Sequence, residues 1–179
     1  FSFLRNEPLD MRYNTQQSAL TAEAIVNSWS LKEIEKILRL YGQERFSRKI
    51  AEEIIKSRPL KTTVDLVTAV ERATPAWYHC RKIHPATKTF QALRIAVNNE
   101  LENLERALPQ ALNVIDSGGR IVVVAFHSLE DRIVKNFLRE KAKGSIVRIL
   151  TKKPVRPSRN EVLRNPRSRS ARLRAALKL

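Results

Sequence analysis

The stretch Gly118-Gly-Arg-Ile-Val-Val-Val-Ala-Phe-His-Ser-Leu-Glu-Asp-Arg-Ile-Val-Lys-Asn-Phe-Leu138 constrains the fold most. It writes a turn, a strand and a capped helix in succession, one βα unit of an α/β sheet. Ile121 to Phe126 is an unbroken apolar, mostly β-branched run, which suits a strand covered on both faces. Ser128 with Asp131 three residues on reads as an N-cap with an acidic partner in the first turn. In open parallel sheets ligands sit beyond the carboxyl ends of the strands, so Phe126, His127 and Ser128 fall where chemistry is expected. The plainer alternative is that Ser128 only caps a helix and His127 only satisfies backbone.

Upstream, the punctuation is helical. Ser30 and Glu33 form a capping box for a helix over 31–41, with Leu31, Ile34, Ile37, Leu38 and Tyr41 at helical spacing before Gly42. Phe46, Ile50, Ile54 and Ile55 mark a second helix. Thr63 caps a third, and an earlier helix around 22–29 completes a small all-α cluster. Residues 1–17 read as a loop. From Thr87 a long helical pattern runs to Leu108, with Pro109 bending or restarting it before Leu112 to Ile115. Strands are expected within 145–150 and 170–179, where Ala171, Leu173, Ala175 and Leu177 alternate with Arg172, Arg174 and Lys178. A Pro-broken basic segment joins them.

Charge narrows the partner. Lys and Arg number 34 against 18 Asp and Glu, a net charge of +16, and the pI is about 10.7. Such a balance favours a polyanion, with nucleic acid leading. Candidate RNA contacts are Arg45, Arg48 and Lys49 in the helical cluster; Trp77, Arg81, Lys82 and His84, where aromatics interleave with cations; and Lys152, Lys153, Arg156, Arg159, Arg167 and Arg169 in the basic segment. Solvated basic faces, or a loop packed at a domain junction, would account for the first two groups as well. With no apolar run of membrane-spanning length and no leading signal segment, a cytoplasmic protein without membrane association is expected. Cys80 is the single cysteine, so no metal site is expected. The four glycines, Gly42, Gly118, Gly119 and Gly144, cannot write a G-x-G-x-x-G or P-loop pattern.

Four segments together resemble the bacterial small-subunit (16S) ribosomal RNA cytosine-N4-methyltransferase family, MraW or RsmH. They are Phe1-Ser-Phe-Leu-Arg-Asn-Glu-Pro-Leu-Asp-Met-Arg12; His84-Pro-Ala-Thr-Lys-Thr-Phe-Gln-Ala-Leu-Arg94 with Val97-Asn-Asn-Glu-Leu101; Phe126-His-Ser-Leu-Glu-Asp-Arg-Ile-Val-Lys135; and Asn165-Pro-Arg-Ser-Arg-Ser170. The resemblance implies the α/β fold of a class I, Rossmann-like methyltransferase with an inserted all-α domain. Residues 1–12 would be an active-site loop, 13–85 the inserted helical RNA-recognition domain, and 86–179 the C-terminal part of the methyltransferase domain, with its last three strands.

It further implies S-adenosylmethionine as cofactor and a cytosine amine in the decoding region of small-subunit RNA as substrate. Asp10, Arg12, Phe126, His127 and Ser128 would line the site, positioning substrate rather than making bonds. The family's Gly-rich cofactor loop has no counterpart here, so no cofactor-binding residue is assigned. The chain is expected to be the C-terminal part of a longer protein, inactive alone, and a homodimer is left open. The rival readings are a non-catalytic basic RNA-binding or ribosome-associated protein and, more remotely, a methyltransferase-like regulator acting on DNA or on another protein.

Overall fold

The computed structural model describes residues 5–16, 19–80 and 83–179. The chain divides into two compact units, Phe1–Glu100 and Leu101–Leu179.

The first unit is helical. Helix α1 (Ala22–Ser28) is capped by Thr21, and α2 (Leu31–Leu40) carries the expected Ser30/Glu33 capping box. Helices α3 (Ser47–Lys56), α4 (Thr63–Ala73), the single turn α5 (Ala76–His79) and α6 (Thr87–Asn98) follow. The cap of α4 is Thr62, one residue before the expected Thr63. Thr62 makes a capping box with Asp65, while Thr63 is wholly buried, accepting from the Glu7 amide at 3.1 Å and donating to the Arg5 carbonyl. Ile25, Ile34, Leu38, Ile50, Ile54, Leu66 and Leu93 are wholly buried and meet in one core. At roughly 1.5–3 kcal/mol for each large apolar side chain buried, this core dominates the unit's stability. Gly42 is needed for close approach, since a Cβ there would come within 2.7 Å of the carbonyls of Leu38 and Lys88.

The helical pattern from Thr87 onward breaks earlier than expected. Asn99 takes a left-handed conformation (φ 48°) that caps α6, and α7 (Glu100–Asn113) runs on through Pro109. Asparagine tolerates this conformation where most residues do not, so the stop belongs to Asn99 and Pro109 sits inside a helix.

In the second unit, β1 (Arg120–Ala125), α8 (Ser128–Lys143), β2 (Val147–Ile149) and β3 (Arg172–Lys178) form a three-stranded sheet of order β1-β3-β2 with α8 against one face. The central β3 is antiparallel to both neighbours, so β1 and β2 run the same way. Ile121 pairs with Ala176 and Val123 with Arg174. The entry turn is as read: Gly118 has φ 81°, and its amide donates to the Lys178 carbonyl at 2.9 Å. Lys178 Nζ in turn donates to the carbonyls of Leu112 and Ile115 near the end of α7, a favourable place for a cation. The basic segment contains a short helix, α9 (Arg159–Arg164), capped by Ser158, and a 3-10 stretch at Pro166–Ser170.

One expectation fails here. In this chain β1 is not covered on both faces: Ile121 and Ala125 are buried, but Val122 and Val124 are 56% and 48% exposed, and one edge of β1 carries no strand among the described residues. Val134 and Leu138 of α8 pack with Ile121, and the side of Val122 and Val124 has no such layer among the described residues of this unit. The arginine-bearing face of β3 is the one against α8, and Arg174 is buried there, paired with Asp131.

Candidate functional site

Asp10 and Arg12 lie on a loop that is pinned by backbone. Leu9 and Met11 are buried in the helical core, so the alternate residues Asp10 and Arg12 turn outward. Carbonyls of Leu9 and Asp10 accept from the first amides of α1, Glu23 at 2.6 Å and Ala22 at 2.9 Å, satisfying donors that a helix start would otherwise leave open. Met11 has φ 64°, unusual for a non-glycine residue. Asn98 holds that geometry, donating from Nδ2 to the Met11 carbonyl at 2.7 Å and accepting from the Tyr13 amide at 2.8 Å. Backbone held in this region is a recurrent property of functional loops.

The two outward side chains form a bidentate pair. Arg12 Nε donates to Asp10 Oδ1 at 2.6 Å and Arg12 Nη2 to Oδ2 at 2.9 Å. This guanidinium holds the Asp10 carboxyl below its ordinary value, so Asp10 is an anion at neutral pH and no general acid. Arg12 is fixed in direction rather than left to sweep solvent.

Phe126, His127 and Ser128 come together where β1 passes into α8. The cap of α8 is His127, not Ser128, and its box partner is Glu130, not Asp131. His127 Nδ1 accepts from the Glu130 amide at 3.3 Å. Glu130 Oε2 accepts from the amides of Phe126 and His127 at 2.8 and 3.2 Å. Glu130 Oε1 lies 3.3 Å from His127 Nε2. An imidazole accepting through Nδ1 carries its proton on Nε2, so the ring is set in one tautomer. Phe126 is 54% exposed at the strand end, and Ser128 becomes the first residue of α8.

Asp131, displaced from the capping role, anchors the start of α8 to the sheet. Its side chain is 12% exposed, and its carboxylate accepts from Arg174 Nε at 2.6 Å and Nη2 at 3.3 Å, with Arg172 Nη1 at 3.5 Å. The Arg174 hydrogen bonds hold the Asp131 carboxyl below its ordinary value, against a burial effect that acts the other way. Sequence reading missed this triad. The signal was present as an acid in the first turn of α8 and arginines at alternate positions of the last strand.

The candidate RNA contacts are unevenly placed. Arg45, Arg48 and Lys49 are exposed, but Arg48 is paired with Glu52 at 3.0 Å and Arg45 sits 5.9 Å from the Phe46 ring. Trp77 joins Phe46 and Tyr78 in an aromatic cluster, tied down by the Tyr78 hydroxyl donating to buried Glu44 at 2.8 Å, yet 54% of its surface stays open. His84 Nδ1 accepts from the Ala86 amide at 3.2 Å, a local structural bond. Arg81 and Lys82 lie outside the described residues. Lys152, Lys153, Arg156, Arg159, Arg167 and Arg169 are all exposed. Among the described residues no helix is long and apolar enough to cross a membrane.

The chain's relatives agree with one another. Ribosomal RNA small subunit methyltransferase H of Trichodesmium erythraeum is 51% identical over 179 residues, covering 100% of this chain and 62% of that protein. The protein of the same name from Thermotoga neapolitana is 55% identical over 179 residues, with 98% of this chain and 58% of its own length covered. That of Cyanothece sp. is 51% identical, at 100% and 59%. The chain therefore spans about three fifths of the length of these curated relatives. A sequence model of the MraW methylase family matches residues 1–179, and the chain belongs to that family.

Proposed function

We propose that the protein containing this chain methylates small-subunit ribosomal RNA, taking the methyl group from S-adenosylmethionine and placing it on the exocyclic N4 amine of a cytosine in the decoding region. The observation that carries this reading is the match along the whole chain to relatives bearing that enzyme's name. A cytoplasmic setting follows from such a substrate. The sheet is read as the end of a larger Rossmann-like sheet. In support, β1 and β2 run the same way on either side of an antiparallel strand, and β1 exposes an apolar face and, among the described residues, an unpaired edge. Residues 13–85 are read as an insertion, with α6 returning the chain to the methyltransferase domain although it packs within the helical unit.

The described residues do not supply a cradle for the cofactor. Gly42 is wedged between carbonyls inside the helical core, and Gly118 and Gly119 serve the turn into β1. The contribution of this chain is therefore on the substrate side. An amine nucleophile must present its lone pair to the transferred carbon with water excluded, and orientation supplies much of the rate. The open Phe126 ring suits stacking on the cytosine. The His127–Glu130 lock fixes the backbone on which that ring stands. Asp10 offers a fixed anion to an amine or hydroxyl, and Arg12 a fixed cation to phosphate. Lys152 to Arg169 and the Trp77 segment grip RNA.

The test is labelled methyl transfer to small ribosomal subunits lacking the modification, using the full-length protein and this chain alone. Transfer by the full-length protein only is expected. Transfer by neither would return first place to a non-catalytic RNA-binding protein. His127→Asn, which retains a capping side chain, should fold normally but lower turnover more than RNA affinity; unchanged turnover would leave His127 as a cap and nothing more.

A further inference from the structure

We propose that the cleft between the C-terminal half of α8 and β2 is a backbone-binding site for a single strand of RNA, held by Lys135, Arg139, Lys143 and Lys152. The choice of RNA as occupant rests on the methyltransferase reading above; the cleft itself stands on geometry.

Two adjoining hollows, about 740 and 320 Å³, share Arg139 and Ile149 and make one continuous cleft. Its floor is apolar, with Leu138 and Ile149, and its rim is cationic. Lys135, Arg139 and Lys143 stand at i, i+4 and i+8 on α8, which places them on one face roughly 6 Å apart at 1.5 Å rise per residue. Lys152 faces them from the chain that follows β2.

None of these four cations has an ion-pair partner among the described residues. Arg174, at the inner end, is neutralised by Asp131. Glu140, the acid at the rim, is already paired with Lys141 at 3.3 Å.

Such a stripe works against the helix that carries it. Like charges at i, i+4 repel and destabilise a helix, and α8 has two such pairs in succession. The helix dipole favours Lys143 in the last turn but does nothing for Lys135 in mid-helix. A repeating anion at similar intervals relieves the repulsion, and successive phosphates of one strand provide it. The cations line a recess, which a strand enters and a flat bilayer does not. An apolar floor beneath cations also suits sugar and base edges rather than a small free anion.

The experiment compares full-length protein with the variant Lys135→Ala/Arg139→Ala/Lys143→Ala, reading affinity for a single-stranded RNA oligonucleotide by fluorescence anisotropy across salt concentrations. Alanine raises helix propensity and removes the repulsion, so the thermal midpoint should hold or rise. Affinity should fall about tenfold or more at 0.1 M salt. The slope of log K against log salt should flatten by roughly 2, at about 0.7 per phosphate contact.

The control Lys32→Ala/Lys36→Ala/Arg39→Ala removes the same charge from α2. An equal loss in that control would reduce the effect to net charge and overturn the proposal, as would an unchanged affinity in the α8 variant. Loss of binding to phosphatidylglycerol vesicles with RNA affinity intact would assign the cleft to an anionic surface instead. Methyl transfer measured on the same wild-type preparation separates the two readings: an active enzyme whose α8 variant binds RNA normally sinks the cleft alone, and an inactive protein whose α8 variant loses RNA sinks the methylation reading alone.

Discussion

The helical unit and the sheet unit solve the same problem of cohesion differently. In the first, Ile25, Ile34, Leu38, Ile50, Ile54, Leu66 and Leu93 are wholly inaccessible at the centre of one large apolar core. In the second, a smaller core of Leu108, Leu112, Ile121, Val134, Leu138, Val147 and Ala176 lies on one side of the sheet only. Val122, Val124 and Phe126 are left half-exposed on the strand that ends at the candidate site. Among the described residues, the sheet unit adds an ion pair with both partners buried, Arg174–Asp131, bolting α8 to β3, whereas the Arg94–Glu100 pair of the helical unit leaves Arg94 35% exposed. Packing therefore holds one unit, and packing plus a charge lock holds the other.

That contrast breaks most readily at Asp131. Removing one partner of a buried pair leaves the other charge without compensation, so Asp131→Ala should cost about 3–5 kcal/mol. Urea unfolding followed by tryptophan-independent circular dichroism would read it, and a loss below about 1 kcal/mol would mean the lock is solvated. The pH dependence has a definite sign. A carboxyl whose folded pKa lies below its unfolded value stabilises fully above the unfolded value, near 3.8, and loses that contribution as pH falls towards the folded one. The wild-type protein should therefore lose stability below about pH 4 through this group, and Asp131→Ala should show a shallower acid limb.

Next in size is Leu38→Ala in the helical core, expected to cost about 2–5 kcal/mol because the closed packing leaves a cavity that cannot collapse. Calorimetry of the same protein would sharpen the comparison: the α2 variant should weaken the helical unit and the Asp131 variant the sheet unit. Equal effects on a single transition would show the two units melting as one.

How far the sequence foretold this division depends on which signals are local. Capping boxes are, and Ser30/Glu33 was legible because both partners sit within one turn. Thr62 and His127 were each missed by one residue, because adjacent hydroxyls offered an equally good pattern and only the backbone path chooses between them. Asn99 was passed over for Pro109, since a left-handed asparagine has no signature beyond its identity, whereas proline marks a helix break by its chemistry. The pairing of Arg174 with Asp131 was not legible because the two lie 43 residues apart. Of the candidate site, the strand end at Phe126 followed from the strand–helix pattern alone. Asp10 and Arg12 were reachable only through resemblance to a family, because a pinned loop has no periodicity. The α8 stripe was in plain view as i, i+4 cations, but only the cleft beside it separates a binding face from an ordinary charged one.

The smallest expected effect falls on the uncovered face. Val124→Thr replaces a methyl by a hydroxyl at a half-exposed strand position, where β-branching is kept and water already reaches the side chain. In this chain it should change stability by less than about 0.5 kcal/mol, the usual range for surface substitutions. In the full-length protein the prediction reverses if a further layer or strand covers β1, because an unpartnered hydroxyl would then be buried at a cost of roughly 1–3 kcal/mol. Measuring the same substitution in both contexts turns one side chain into a reporter of whether the apolar face of β1 is an interior. A small effect in both would mean that the face stays open to solvent beside the site, and that Phe126 is available to a base from that side as well.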